Sequence, residues 1–223
     1  MIKLCIFDLD GTLIDSAPDL EASANFALKH YGLPQRSLAQ IKSNMGKGVN
    51  HLLKVSIPKE KHSEQLLSDI KAMYVEHYAN HCTDFTIVYE GVLDMLRILQ
   101  QRGVMLSIFT NKPHSFLSKI IVDMFDGIEF THVIGQGQGK YPDKPDPSAV
   151  FAIMKELNIT PEECIYVGDT EVDIQTGANA GIQTIGVSWG YRSAKELEEA
   201  GAEPVIDRAA QLIDLIAELD APA

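Results

Sequence analysis

The sequence predicts an α/β protein, a doubly wound parallel sheet carrying an inserted all-helical cap. Three observations lead there. Short apolar runs rich in β-branched residues recur along the chain, helical patterns lie between most of them, and one long stretch near the N-terminus is helical with no strand in it. Strands alternating with helices read as parallel crossover units, and such a sheet is covered on both faces.

The strand candidates are residues 3–7, 104–110, 132–134, 164–167, 184–187 and 204–206. Residues 92–101 repeat Val92, Leu93, Leu96 and Leu99 at helical spacing and stop at Gly103, in the manner of a helix C-terminus. Residues 147–157 read as a helix with Asp146 as cap and Pro147 in the first helical position. The strandless stretch holds three helical patterns, at about 19–31, 38–55 and 60–81. The chain is therefore divided into an α/β core, residues 1–15 and 82–223, and a helical cap, residues 16–81. An insert directly after the first strand sits over that strand's carboxyl end, where parallel sheets bind ligands. It reads as a lid, with a helical dimerisation arm as the alternative.

Composition narrows the function. The 223 residues are 45% apolar and 22% charged, ordinary globular proportions. No apolar run approaches the ~18 residues needed to cross a bilayer. Aspartates interrupt the N-terminal apolar run before a signal-peptide core forms, so neither a membrane span nor an export signal is expected. With 31 acidic against 19 basic side chains, the net charge of −12 disfavours a nucleic-acid partner. It also repels a small anionic substrate unless a cation intervenes. Cys5, Cys82 and Cys164 are odd in number and lack CxxC spacing, which suits buried, inert thiols in a reducing cytoplasm.

The chemistry concentrates at strand ends. Asp8 and Asp10 close the first strand and share a face, with Gly11 marking a tight turn beside them. Two carboxylates so close repel one another unless a cation lies between them. Asp169 stands where the strand 164–167 meets the next helix, with Asp173 about a turn later. Both suit helix capping; together with Asp8 and Asp10 they form an oxygen donor set suited to Mg²⁺. Thr110, Asn111 and Lys112 close another strand, where a hydroxyl and backbone N–H groups can hold phosphate oxygens. Lys144 precedes Pro145 and is biased to extended backbone. The glycines between Gly135 and Lys140 lack the Walker spacing and read as a loop. The seven histidines lack zinc-site spacing.

In this order, DxDGT, a strand-end Thr, Lys-Pro and GDxxxD resemble the haloacid dehalogenase superfamily of phosphotransferases, over essentially the whole chain. The resemblance implies a Rossmann-like core and a role for each motif residue. Asp8 would be the nucleophile that forms an aspartyl-phosphate, and Asp10 the acid that protonates the leaving alcohol and then the base for water. Thr110 and Lys144 would grip the phosphoryl oxygens. Asp8, the main-chain carbonyl of Asp10, and Asp169 would bind Mg²⁺, supported by Asp173. A carboxylate at position 10 favours phosphate esters over haloacids or phosphonates. Within the superfamily, the opening FDLDGTLIDSAPDLEASANFAL and the loop Gly46, Lys47, Gly48 resemble the phosphoglycolate phosphatase group. Lys47 and Asn44 would then reach the mouth of the site, Lys47 toward the substrate's carboxylate, and Asn111 would join the substrate-binding set. Glu90, where relatives usually carry Pro, and Asp143, where a basic residue is common, depart from that pattern.

The expected activity is Mg²⁺-dependent hydrolysis of a small phosphorylated metabolite, 2-phosphoglycolate to glycolate, by a cytoplasmic monomer or homodimer. Three alternatives stand beside it: a sugar phosphomutase resembling β-phosphoglucomutase, a phosphatase of a sugar phosphate, nucleotide or pyrophosphate, and a catalytically silent regulatory protein. The mutase shares every core residue and differs in how well the closed cap excludes water.

Overall fold

The computed structural model describes residues 1–137 and 140–221. The chain begins with β1 (Leu4–Phe7) and the short β2 (Ile14–Asp15), then runs through α1 (Ala17–His30), α2 (Leu38–Lys42), α3 (Gly48–Ser56) and α4 (Glu64–His81). After β3 (Ile87–Val88), strand and helix alternate: α5 (Val92–Gln101), β4 (Met105–Pro113), α6 (Leu117–Met124), β5 (His132–Gln136), α7 (Ser148–Leu157) and β6 (Cys164–Gly168). The chain ends with α8 (Glu171–Ala180), β7 (Gln183–Val187), α9 (Ala194–Glu199), β8 (Val205–Ile206) and α10 (Ala210–Leu219).

Six strands form one parallel sheet in the order β5-β4-β1-β6-β7-β8. The chain winds from β1 out to β4 and β5, then crosses back to β6 on the other side of β1, so β1 and its neighbours carry the switch point where such sheets bind ligands. Side chains of β1 alternate between two cores. Cys5 and Phe7 pack with Leu106, Ile108, α5 and α10, while Leu4 and Ile6 pack with Tyr166 and α7 on the other face. Both faces are covered, as the expected doubly wound class requires.

The helices α1 to α4 leave and rejoin the sheet domain through β2 and β3, which pair antiparallel (Ile14 with Val88, Asp15 with Ile87). Asp19 secures the return: its carboxylate accepts from the backbone N–H groups of Phe85 and Thr86 and from the Thr86 hydroxyl at 2.6–3.1 Å. No helix among the described residues is long and apolar enough to cross a membrane.

Several boundaries differ from the periodicity. The pattern at 38–55 is two helices, because Gly46 (φ +96°) and Gly48 (φ +78°) break it into a tight loop. The pattern at 60–81 starts late: residues 59–61 form a separate 3₁₀ turn, and Ser63 caps α4 by accepting from Leu66 N. Pro147 is the cap of α7 rather than its first residue, and Asp146 Oδ1 accepts from Ser148 N at 2.9 Å. Gly135 and Gln136, read as loop, are the end of β5; Gln138 and Gly139 of the same reading lie outside the described residues.

Candidate active site

Two strand ends and the start of a helix meet at the carboxyl edge of the sheet. Asp8 follows β1, Asp169 follows β6, and Asp173 lies in the first turn of α8. Their carboxylate oxygens lie within 4.8 Å of one another, and all three residues are buried. Lys144, from the loop before α7, puts Nζ 2.9 Å from Asp8 Oδ1 and 2.6 Å from Asp173 Oδ1. One buried ammonium thus meets two of the three buried carboxylates.

That imbalance shows in the titration of each group. Burial pushes the Asp8 carboxyl up to about 7; Lys144 pulls it down, and Asp173 and Asp10 push it up. Burial, then Asp173 and Asp8, hold Asp169 well above the usual carboxylate range. Burial opposes the charge on Lys144, yet Asp173 and Asp8 outweigh it and raise its pKa.

The cluster fits a divalent cation on its own geometry. Asp169 is oriented by Thr12 Oγ1, which donates to Oδ1 at 3.0 Å, and by Tyr191 N, which donates to Oδ2 at 2.9 Å. Asp173 Oδ2 caps α8 by accepting from Thr170 N and Oγ1, leaving Oδ1 for Lys144. Asp8 Oδ1 is buried and meets only the ion pair with Lys144 at 2.9 Å, outside the hydrogen-bonded network. A buried carboxylate oxygen outside that network, beside two more acidic groups, is the oxygen set a hard dication needs. Gly11, at φ +91°, permits this closeness: a Cβ there would strike Asp169 and Tyr191.

Asp10 faces the other way. Its carboxylate accepts from Ser16 Oγ and from Lys112 Nζ at 2.8 and 3.1 Å. Thr110 is buried, its Oγ1 accepting from Lys112 N at 3.2 Å. Asn111 holds the loop that carries Lys144, accepting from Lys144 N at 2.8 Å and donating to Lys144 O at 3.2 Å. The same amide donates to Gly46 O in the loop between α2 and α3 at 3.0 Å. Asn111 thus spends its side chain on two loops.

Above Asp8 and Asp10 lies a cavity roofed by α3 and α4 and walled by Leu20, Met45, Val49, Leu52, Tyr74 and Phe116. Asn44, Thr110, Asn111 and Lys112 also line it. Lys47 does not: its Nζ pairs with Glu171 at 3.2 Å, half exposed at the rim. Arg192 closes that rim, donating to Lys42 O and Met45 O at 3.3 and 3.2 Å and to Glu171 at 3.1 Å.

The family model for haloacid dehalogenase-like hydrolases matches residues 5–187, which span β1 to β7 and every acidic residue above. The chain belongs to that family. The phosphoglycolate phosphatase of Pseudomonas putida KT2440 is 34% identical over 209 residues, covering 92% of this chain and 76% of the relative. Phosphoglycolate phosphatase 1 of Pseudomonas aeruginosa PAO1 is also 34% identical, over 95% of this chain and 78% of its own length. Among solved structures, the predicted phosphoglycolate phosphatase of Haemophilus somnus 129PT superposes with a TM-score of 0.89 at 28% identity, covering 96% of this chain and 98% of that one. This member of the family is an enzyme, a phosphoric monoester hydrolase resembling the phosphoglycolate phosphatases.

The motifs in the sequence mark positions 8, 10, 110, 144, 169 and 173; the side chains of Lys112, Tyr78, Ser16, Thr12, Tyr191 and Arg192 join them without a motif role of their own. Lys112 carried a signal, since a lysine two residues after the strand-end Thr shares its face. The others are joined to the site only through the fold. The cysteines are free and buried, and burial pushes the Cys164 thiol up to about 12, far from reactive.

Proposed function

We propose that the chain is a Mg²⁺-dependent phosphatase that hydrolyses a small phosphomonoester, 2-phosphoglycolate to glycolate, through an aspartyl-phosphate at Asp8. The carrying observation is the buried Asp8 oxygen, held outside the hydrogen-bonded network beside Lys144, on a residue that lines the cavity. Asp8, Asp10, Asp169 and Asp173 would hold the ion, which supplies charge neutralisation at the phosphoryl oxygens and the carboxylates. In this reading residues 1–15 and 82–223 are the core, and residues 16–81 the cap that covers it.

Asp8 Oδ attacks phosphorus, the ester P–O bond breaks, and the phosphoryl group passes to the carboxylate. Asp10 delivers a proton to the departing oxygen and then takes one from the water that hydrolyses the acyl-phosphate, so the enzyme returns to its starting form. Thr110 and Lys144 bind the phosphoryl oxygens, and Asn111 keeps Lys144 in register with them. The roof over the cavity excludes bulk water while the phosphoryl group moves.

The apolar wall supports a small, sparsely hydroxylated leaving group over a sugar, whose hydroxyls would meet Leu20, Val49, Leu52 and Phe116. Phosphate release from 2-phosphoglycolate, set against interconversion of glucose 1-phosphate and glucose 6-phosphate, tests this directly. Release of inorganic phosphate in Mg²⁺, abolished by Asp8→Asn, is expected; interconversion without release would install the mutase instead. Buried free thiols support a reducing cytoplasm, and the net charge supports a small metabolite rather than nucleic acid as partner. A monomer or a homodimer would serve this chemistry equally.

A further inference from the structure

Lys112 is the one cation among the described residues that line the cavity. Its ammonium is almost wholly buried, 2% exposed, at the end of β4. One aromatic ring, Tyr78, meets it there. Tyr78 accepts a hydrogen bond from Nζ at 2.7 Å while presenting its ring with the centroid 4.8 Å away. Tyr78 in turn stacks on Tyr74 at 5.5 Å and meets Phe116 edge-on at 4.9 Å. The remaining partner is Asp10, whose two oxygens lie on one side of Nζ at 2.8 and 3.1 Å. One N–H shared between those oxygens and one given to Tyr78 account for these contacts, and an ammonium has a third.

We infer that Lys112 binds a carboxylate of the substrate and selects phosphate esters of 2-hydroxy acids. The inference rests on the phosphatase reading, because position follows from the role of Asp10. Asp10 serves the ester oxygen, and Lys112 Nζ stands one hydrogen bond beyond it. A group on the carbon next to the ester oxygen therefore falls beside Lys112, whereas one on a longer spacer overshoots toward the apolar wall. The charge balance agrees. Lys144 is met by two carboxylates and Lys47 by Glu171, and neither lines the cavity; Lys112 is met by one, Asp10, and does line it. A trianionic ester entering a chain of net charge −12 has Lys112 as its internal counter-charge.

The test compares kcat/KM for 2-phosphoglycolate with that for ethyl phosphate, which keeps the two-carbon frame and lacks the carboxylate. Wild-type enzyme is expected to prefer the acid by about 100-fold or more, the discrimination of a site built to pair a polar group. Lys112→Met should collapse that ratio through KM for the acid, and Lys112→Arg should keep most of it. Equal losses on both esters in Lys112→Met would make Lys112 a positioning residue for Asp10 and overturn the inference, with the phosphatase reading intact. Absence of any wild-type preference overturns it equally and needs no variant. Wild-type enzyme that releases phosphate from neither ester overturns the phosphatase reading and this inference with it.

Discussion

The side-chain amide of Asn111 grips the backbone of Lys144 on both sides, accepting its N–H at 2.8 Å and donating to its C=O at 3.2 Å. This two-point clasp joins the end of β4 to the loop before α7 and fixes where the ammonium of Lys144 stands between Asp8 and Asp173. The residue read from the sequence as a substrate ligand lines the cavity and spends its amide on this loop and on Gly46 O.

Removing the clasp has a defined consequence. Asn111→Leu should leave Lys144 charged but misplaced, lowering kcat by about 10- to 100-fold, since small displacements at the reacting centre are costly. It should also lower stability by about 1–3 kcal/mol, because buried backbone groups lose partners. Steady-state kinetics and a urea melt on the same preparation check both parts. A variant with unchanged kcat would show that the loop holds Lys144 unaided.

Lys144 itself carries more. Lys144→Met leaves Asp8, Asp169 and Asp173 buried without a counter-charge, which in the metal-free chain should cost about 3 kcal/mol or more. Adding Mg²⁺ should restore part of that loss while phosphate release stays abolished. Chemical denaturation with and without Mg²⁺ separates the two effects.

The acidic cluster also sets a pH dependence. Asp8 titrates near 7 in the folded chain and Asp169 is raised in the same direction, against about 3.9 for an unfolded aspartate. The folded state therefore holds more protons than the unfolded state between about pH 4 and 7, and its stability falls as pH rises through that window. His77, lowered by burial and by His81, opposes the trend, but it does so with or without metal. In EDTA the melting temperature should decline from pH 5 to 7.5, and saturating Mg²⁺ should flatten the slope by stabilising the ionised carboxylates. Parallel slopes in the two conditions would remove Asp8 and Asp169 from the metal site.

Arg192 fastens the roof. It donates to the carbonyls of Lys42 and Met45 at the end of α2 and in the loop that follows, and to Glu171, which also pairs with Lys47. Arg192→Gln should loosen residues 43–47, raising KM about 3- to 10-fold with a smaller change in kcat, as expected of a residue that closes a lid rather than reacts. Limited proteolysis of that loop should quicken in step.

Much of the architecture was legible because it is local. The apolar run at 4–7, the helical spacing from Val92 to Leu99 and the glycine at 103 each impose their backbone on a few neighbouring residues. The break between α2 and α3 was harder, since Leu38, Ile41, Val49 and Leu52 keep an apolar rhythm across it and only the positive φ of Gly46 and Gly48 interrupts the helix. Lys47 and Lys112 mark the limit within the site. Both are lysines in strand-end or loop contexts, and nothing local says that one meets Glu171 at the rim while the other meets Asp10 and Tyr78 in the cavity.

By itself, the order of residues determined that strands and helices alternate, that a helical insert follows the first strand, and that acidic side chains stand at strand ends. These follow from preferences acting over one or two turns of chain. The tertiary structure alone decided which charges meet. Asp10 reaches Lys112 and Asp8 reaches Lys144 only because β1 lies between β4 and β6, and the strength of those encounters comes from burial, which removes the water that would otherwise screen them.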